Sequence, residues 1–327
     1  MGNRRKRILS GMRPTGKMHL GNYVGALENW VKLQGEYENF HLIADYHALT
    51  TNPDTSYIFE NTIDMVIDWI AVGIDPEKSP IFRQSQIKEH TELFLIFSML
   101  ITTARLERNP TLKEQIRDLK LETITYGHLG YPVLQAADIL LYKGEVVPVG
   151  EDQAPHVEIT REIARKFNTT YDKVFPLPEV KLTDFARLPG LDGQKMSKSV
   201  GNTILIADEY NKIKEKMKKA FTDPQKLRKG DPGRPDTCLV YTYHTKFNPD
   251  ETEQIYRDCT SGKLGCVDCK MKCSKAINSV ISPFREKRKE LEKDRGKILD
   301  IIIDGEKRAR EVAEETMSEV RKAMLLG

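Results

Sequence analysis

The chain has 327 residues, 39% of them hydrophobic and 30% charged, enough for about two domains and too apolar for general disorder. A formal net charge of +3 does not by itself imply a nucleic-acid partner. The apolar run from Leu93 to Ile101 is broken by Ser98 and falls short of the roughly 18 residues a membrane span requires. The basic start (Arg4, Arg5, Lys6, Arg7) leads into Pro14 and Gly16 rather than the apolar stretch of a secretion signal, so a cytoplasmic protein with no membrane attachment is expected.

Strand-like and helix-like segments alternate through the first half. Arg7–Gly11 reads as a strand and Gly21–Leu33 as a helix with Tyr23, Leu27, Trp30 and Val31 on one face. Phe40–Ala44 is again a strand, Ile58–Val72 a helix with Ile63, Val66, Ile67 and Ile70 aligned, and Pro80–Phe82 a short strand. A helix from His90 to about Leu106, a β-branched run Glu145–Val149 and a helix Ala154–Phe167 follow. Strands joined by helix-length connections predict an α/β fold, a doubly wound Rossmann-like parallel sheet covered on both faces. From about Lys181 the texture changes. Pro189, Gly190, Gly193 and Gly201 mark a loop, and beyond Asp208 nearly everything reads as helix. One apolar stripe is Tyr210, Ile213, Met217 and Phe221; another is Ala309, Val312, Ala313, Met317, Val320 and Met324. The expected division is an α/β domain over 1–185, a loop and linker over 186–205, and a smaller all-helical domain over 206–327.

Gly11 to Met18 imitates a phosphate loop but fails at its last position. That pattern needs a Ser or Thr hydroxyl for Mg²⁺, and Pro14 removes a backbone donor. A better reading places a tight turn at Pro14-Thr15-Gly16 and a helix start at His19-Leu20-Gly21-Asn22. Backbone N–H groups and the positive end of the dipole there suit a polyphosphate. His19 and Asn22 are three residues apart and share a face, and Gly21 lets a flat base approach the backbone. Far downstream, Lys195-Met196-Ser197-Lys198-Ser199 puts two ammonium groups on a glycine-flanked loop, able to neutralise the β- and γ-phosphates as pyrophosphate departs.

These paired elements resemble the two signatures of class I aminoacyl-tRNA synthetases. The resemblance covers almost the whole chain and is nearest to the bacterial tryptophanyl-tRNA synthetases. It extends through Asp45-Tyr46-His47-Ala48, Gly73-Ile74-Asp75-Pro76, Leu106-Glu107-Arg108, the segment Ala136 to Tyr142, and Val147 to Gln153. Tyrosyl-tRNA synthetases share both signatures, and a nucleotidyltransferase that never meets tRNA is a further alternative. A non-enzymatic RNA-binding or redox-sensing protein built on the cysteines is another.

The amino-acid pocket decides among them. Asp138 stands in an otherwise apolar segment, where an unpaired carboxylate is costly; a Lys or a helix end could also pair with it. The resemblance implies that it accepts the indole N–H, the heterocycle's single donor. It also implies that Tyr131, Gln135 and Gln153 hold the ammonium and carboxylate of tryptophan. His47, Val147 and Val149 would line the ring pocket, with Leu9 beside them and Gly11 beneath. For ATP with Mg²⁺, the matching positions are Met12, Arg13, Thr15, His19, Gly21, Asn22, Lys113, Gly150, Asp152, Lys195, Met196, Ser197 and Lys198. Of these His19, Asn22, Lys195 and Lys198 would be catalytic.

All five cysteines fall between Cys238 and Cys273, with the spacing Cys238-x20-Cys259-x6-Cys266-x2-Cys269. Four soft ligands suit tetrahedral zinc or a cubane cluster. The spacing resembles tryptophanyl-tRNA synthetases that carry a [4Fe–4S] cluster, so the cluster is expected, with zinc as the alternative and Cys273 as a spare thiol. His156-Val157-Glu158 imitates the H-x-E of zinc deaminases but lacks the P-C-x-x-C partner, so His156 and Glu158 are read as helix surface. Between Asp208 and Gly230 there are eight Lys/Arg against four Asp/Glu, and Lys212–Lys229 are expected to contact phosphates of tRNA(Trp). The resemblance further implies a homodimer.

Overall fold

The structure is a computed structural model describing residues 4–118, 123–150, 154–182, 188–198 and 200–326. Five strands, β1 (Arg7–Met12), β2 (Glu38–Ile43), β3 (Ile81–Arg83), β4 (Val146–Val149) and β5 (Glu179–Leu182), form one parallel sheet in the order β3-β2-β1-β4-β5. Strand order reverses at β1, so the carboxyl ends of β1 and β4 flank the switch point where doubly wound sheets bind their ligands. β2 is buried along almost its whole length, as expected of a central strand covered on both faces. Gly11 is required in β1: a β-carbon there would lie 2.8 Å from the Leu42 carbonyl oxygen of β2.

The helices begin with α1 (Leu20–Asn22), which continues through a π-helical turn, Tyr23–Leu27, into α2 (Glu28–Leu33). Next come α3 (Asp45–Leu49), α4 (Ile58–Val72), α5 (Glu89–Ser98), α6 (Thr103–Glu107) and α7 (Pro110–Asp118). They are followed by α8 (Tyr126–Leu141), α9 (Ala154–Thr170) and α10 (Tyr210–Lys218). The chain ends with α11 (Leu239–Phe247), α12 (Thr252–Thr260), α13 (Cys266–Leu291) and α14 (Arg295–Ala323). α4 has the expected bounds and stops at Gly73, whose φ of 118° lets its N–H cap the Ile70 carbonyl. The helix expected from His90 to Leu106 is two helices. α5 ends at Ser98, and Thr102 opens α6 by accepting the Arg105 N–H.

The chain divides into two units: the described residues of Met1–Gly16, Ala26–Asp184 and Asp294–Gly327, and those of Lys17–Gly25 and Phe185–Lys293. This differs from the division expected at 206–327. In the sheet unit, Phe82, Leu93, Phe97, Leu140 and Phe167 share one core with Ala309, Ala313, Met317 and Val320 of α14. A β-carbon on Gly305 would collide with the backbone of Ile81 in β3, and Arg83 pairs with Glu306 through its Nε at 2.5 Å. α14 is therefore an outer layer of the sheet. In the second unit α13 packs on α10 and α11, burying Ile213, Met217, Val240, Tyr243, Ile277 and Ile281. Phe221, expected on the stripe of α10, lies beyond the helix end and is 49% exposed. No helix among the described residues is long and apolar enough to cross a membrane.

Candidate active site

The second unit carries both phosphate signatures. His19 is the N-cap of α1, and it forms a reciprocal box with Asn22. The Asn22 N–H donates to His19 Nδ1 at 3.2 Å, and the His19 N–H donates to Asn22 Oδ1 at 3.1 Å. A nitrogen that accepts cannot hold the proton, so the neutral ring carries it on Nε2. Burial, then the charge of Lys198, lowers the His19 pKa to about 4. The imidazole is thus an uncharged donor at neutral pH.

The Lys195–Lys198 loop sits beside this helix start. The Leu20 N–H donates to the Ile204 carbonyl and the Ile206 N–H to the Met18 carbonyl, both at 2.9 Å, binding the chain after the loop to α1. A β-carbon on Gly21 would lie 2.9 Å from Met196 Sδ and 3.0 Å from the His19 ring, so a larger residue would have to displace the buried methionine. Asn202 is 6% exposed. It accepts the Ser197 N–H at 2.8 Å and donates to the Lys195 carbonyl at 3.0 Å and to Asp192 at 2.8 Å. Lys195 and Lys198 are exposed on this braced loop.

The sheet unit holds the expected amino-acid residues. Tyr131, Gln135 and Asp138 recur on α8 at spacings of four and three, which places them along one face. Asp138 is buried but not unpaired. Oδ1 accepts from Gln84 Nε2 at 2.7 Å and from His90 Nδ1 at 2.6 Å, and Oδ2 accepts from His47 Nε2 at 2.9 Å. Burial alone would raise this carboxyl, but the hydrogen bonds from His47 and His90 outweigh it and lower its pKa to about 2. Its partners are neither a Lys nor a helix end. Tyr142 donates to His90 Nε2 across 3.0 Å; burial and the nearby Asp138 push its phenol well above the usual value, keeping it protonated.

Leu9 and Val147 are buried, while Val149 and Gly150 are half-buried at the end of β4 and Gly11 is exposed near the end of β1. Tyr131 meets His156 with Oη 2.7 Å from Nε2. His156 is therefore not helix surface but 1% exposed; Glu158, two residues on, does face outward. Met12 is half-buried, Arg13 donates to Thr51 Oγ1 at 3.2 Å, and Thr15 and Lys113 are exposed. Asp152 and Gln153 lie outside the described residues. Sequence reasoning missed Gln84, His90, Tyr142 and Asn202. A hollow of about 330 Å³ is lined by residues of α3, α4 and 83–86, including Tyr46, Phe59 and Arg83, and holds none of the expected substrate residues.

None of the five cysteines is in a disulfide. Cys238 precedes α11, Cys259 ends near the close of α12, and Cys266 opens α13, which also carries Cys269 and Cys273. Burial, then the proximity of Cys238, Cys259 and Cys266, pushes the Cys269 thiol up to about 12. Cys238 and Cys266 likewise raise Cys259, after burial. No three His, Cys, Asp or Glu among the described residues are grouped as for a single bound metal ion. Of the basic stretch, Lys216 turns to Asp208 and the Thr203 carbonyl, and Lys226 to the carbonyls of Asp231 and Cys259.

A doubly wound sheet with these two phosphate signatures defines a class I synthetase. The family described as tRNA synthetases class I (W and Y) matches residues 1–282, and the chain belongs to it. Curated relatives include the tryptophan–tRNA ligase of Thermotoga maritima, 52% identical over 98% of this chain and 99% of that one. Another is that of Aquifex aeolicus, 44% identical over 98% of this chain and all of its own. Among solved structures, tryptophanyl-tRNA synthetase from Campylobacter jejuni, complexed with ADP and tryptophan, aligns with TM-score 0.85 and 33% identity over 97% of this chain and 99% of that one.

Proposed function

We propose that this chain is a tryptophan–tRNA ligase, activating L-tryptophan with Mg·ATP and passing it to tRNA(Trp). The observation that carries the choice of amino acid is Asp138. It is a buried, ionised carboxylate held by three donors on two oxygens, and a carboxylate accepts about four hydrogen bonds. One acceptor position suits one indole N–H. Phenylalanine offers no donor and would leave that position empty, a penalty that gives hydrogen-bonding pockets their selectivity.

In the first step the tryptophan carboxylate attacks the α-phosphorus of ATP, giving tryptophanyl-adenylate and pyrophosphate. The His19 Nε2–H donates to the α-phosphate, while Asn22 fixes the imidazole by the reciprocal cap. Lys195 and Lys198 neutralise the departing pyrophosphate, with Lys113 and Thr15 as further phosphate groups and Gly150 and Asp152 near the ribose. Met12, Arg13, Gly21, Met196 and Ser197 complete the nucleotide's surroundings. Tyr131, Gln135 and Gln153 hold the ammonium and carboxylate of tryptophan, and Leu9, Gly11, His47, Val147 and Val149 surround the ring. No side chain becomes covalently attached; the protein supplies position and charge. In the second step the terminal adenosine 2′-hydroxyl of tRNA attacks the adenylate carbonyl and AMP leaves. The helical second unit, with its outward lysines, suits the anticodon arm, and the active form is a homodimer, as in the family it resembles.

Cys238, Cys259, Cys266 and Cys269 suit a [4Fe–4S] cluster. They supply four soft sulfur ligands within one helical unit, the donor set of a cubane. When bound, the cluster would act as an inorganic crosslink between α11, α12 and α13. Iron and acid-labile sulfide in anaerobically purified protein are the expected result; stoichiometric zinc without visible charge-transfer absorbance contradicts it. The function itself is tested by ATP–pyrophosphate exchange with each amino acid in turn. Exchange driven by tryptophan is expected, and exchange driven by tyrosine, or by none, overturns the reading.

A further inference from the structure

Asp138 selects nothing unless its charge and orientation are fixed, and residues outside the substrate contacts do both. Gln84, at 0% exposure on the turn after β3, and His90, also 0% exposed on α5, reach it from two different elements. Both donate to the same oxygen, Oδ1, at 2.7 and 2.6 Å, and two donors fill the capacity of one carboxylate oxygen. Oδ2 receives only His47 among the described residues. His47 is less deeply buried, at 13% of its side chain, so Oδ2 belongs to the more open side of the group.

The donors are also fixed in kind. His90 must place a proton on Nδ1 to donate to a carboxylate, which makes Nε2 the acceptor for the Tyr142 hydroxyl. His90 is packed between Phe82 and Tyr142, with ring centroids at 6.4 and 5.6 Å, and cannot swing away without opening the core. Gln84 orients its amide toward Asp138 although Oε1 is left buried with no partner among the described residues. Buried polar atoms are normally satisfied, so the amide is spent on the carboxylate.

We infer that Gln84 and His90, with Tyr142 behind His90, are positioning residues for amino-acid selection: they saturate Oδ1 and leave Oδ2 as the one acceptor presented to an indole N–H. This rests on the reading of Asp138 given above. Neither residue touches the substrate; each acts through Asp138, and removing either donor lets the carboxylate rotate, or leaves its charge short of a partner.

The test is ATP–pyrophosphate exchange with tryptophan and with phenylalanine, on the full-length protein and on His90→Leu, His90→Asn, Gln84→Met and Asp138→Asn variants, each with a melting temperature. In His90→Leu and Gln84→Met, KM for tryptophan rises about tenfold or more while kcat at saturation and KM for ATP hold, and the tryptophan-to-phenylalanine ratio of kcat/KM falls by a similar factor. His90→Asn, which keeps a donor where Nδ1 stood, recovers most of the ratio; a merely space-filling histidine would give no such recovery. An unchanged ratio in Gln84→Met overturns the inference even if His90→Leu does not fold, as does a His90→Asn protein no more selective than His90→Leu. If Asp138→Asn keeps full selectivity, the reading of Asp138 fails; if Asp138→Asn loses it while His90→Leu and Gln84→Met keep it, only the positioning role fails.

Discussion

His19 and Asn22 show how two polar residues at a helix start become a chemical device. Each caps the other, which fixes the ring and leaves its proton on Nε2. Spacing alone places the two on one face, because residues three apart are neighbours on a helix; that each caps the other is seen only in the structure. Asp138 was legible for a different reason: a charge within an apolar run is improbable without a task. Its partners were not. Gln84 and His90 lie 54 and 48 residues away in sequence, and a lone histidine on a helix has no pattern that distinguishes a buried donor from a surface group. His156 was misread for the same reason, since only tertiary packing reveals that Tyr131 reaches it. Asn202 too was silent, although it holds the lysine loop by three hydrogen bonds. Asn202→Ala removes all three, each worth about 1 kcal/mol. Steady-state exchange kinetics should show kcat/KM for ATP reduced about tenfold with KM for tryptophan unchanged; equal losses for both substrates would deny the loop-specific role.

Elements were legible where periodicity was strong and burial one-sided. α4 follows its apolar spacing from Ile58 to Val72. β5 (Glu179–Leu182) escaped notice because its residues are mostly exposed; an edge strand lacks the two-sided apolar run that marks β2. The apolar stripe of α14 was plain in the sequence, but a stripe states only that a helix packs, not against what. Gly305 supplies that information in the structure, since α14 approaches β3 closely enough that no side chain fits between them. Gly305→Ala forces the two elements apart and should cost about 2–3 kcal/mol, read as a lower denaturation midpoint. A variant as stable as the parent would show that α14 does not pack so closely.

Across the whole molecule, buried histidines couple stability to acidity. His41 is fully buried, stacked on Trp30 at 4.9 Å between ring centroids, and neither ring nitrogen has a partner among the described residues. Burial lowers its pKa to about 3, and that of His19 is about 4, against 6.5 for an ordinary histidine. The unfolded chain therefore binds more protons than the folded one below about pH 6.5. Stability contributed by the neutral rings is present above that pH and is lost as pH falls toward 4 and 3. Asp138, lowered to about 2 from 3.8, adds a further loss only below about pH 4. At pH 5 the His41 share is about 2 kcal/mol, so His41→Phe, which keeps the stacked ring, should flatten the decline of denaturant stability between pH 7 and pH 5 by about that amount. An unaltered slope would place the acid sensitivity elsewhere. The crowding of the cysteines was also visible at this scale, whereas the return of residues 294–327 to the sheet was not, because all-helical texture carries no record of the layer it joins.

The central claim is that the helix start at His19 and the loop at Lys195–Lys198 perform one adenylation that charges tRNA(Trp) with tryptophan. The most direct measurement is aminoacylation of tRNA(Trp) with tryptophan by the parent chain and by the Lys195→Ala, Lys198→Ala double variant. Charging by the parent, and a loss of about a hundredfold or more in the double variant, is predicted; full charging by the double variant, or none by the parent, would contradict it.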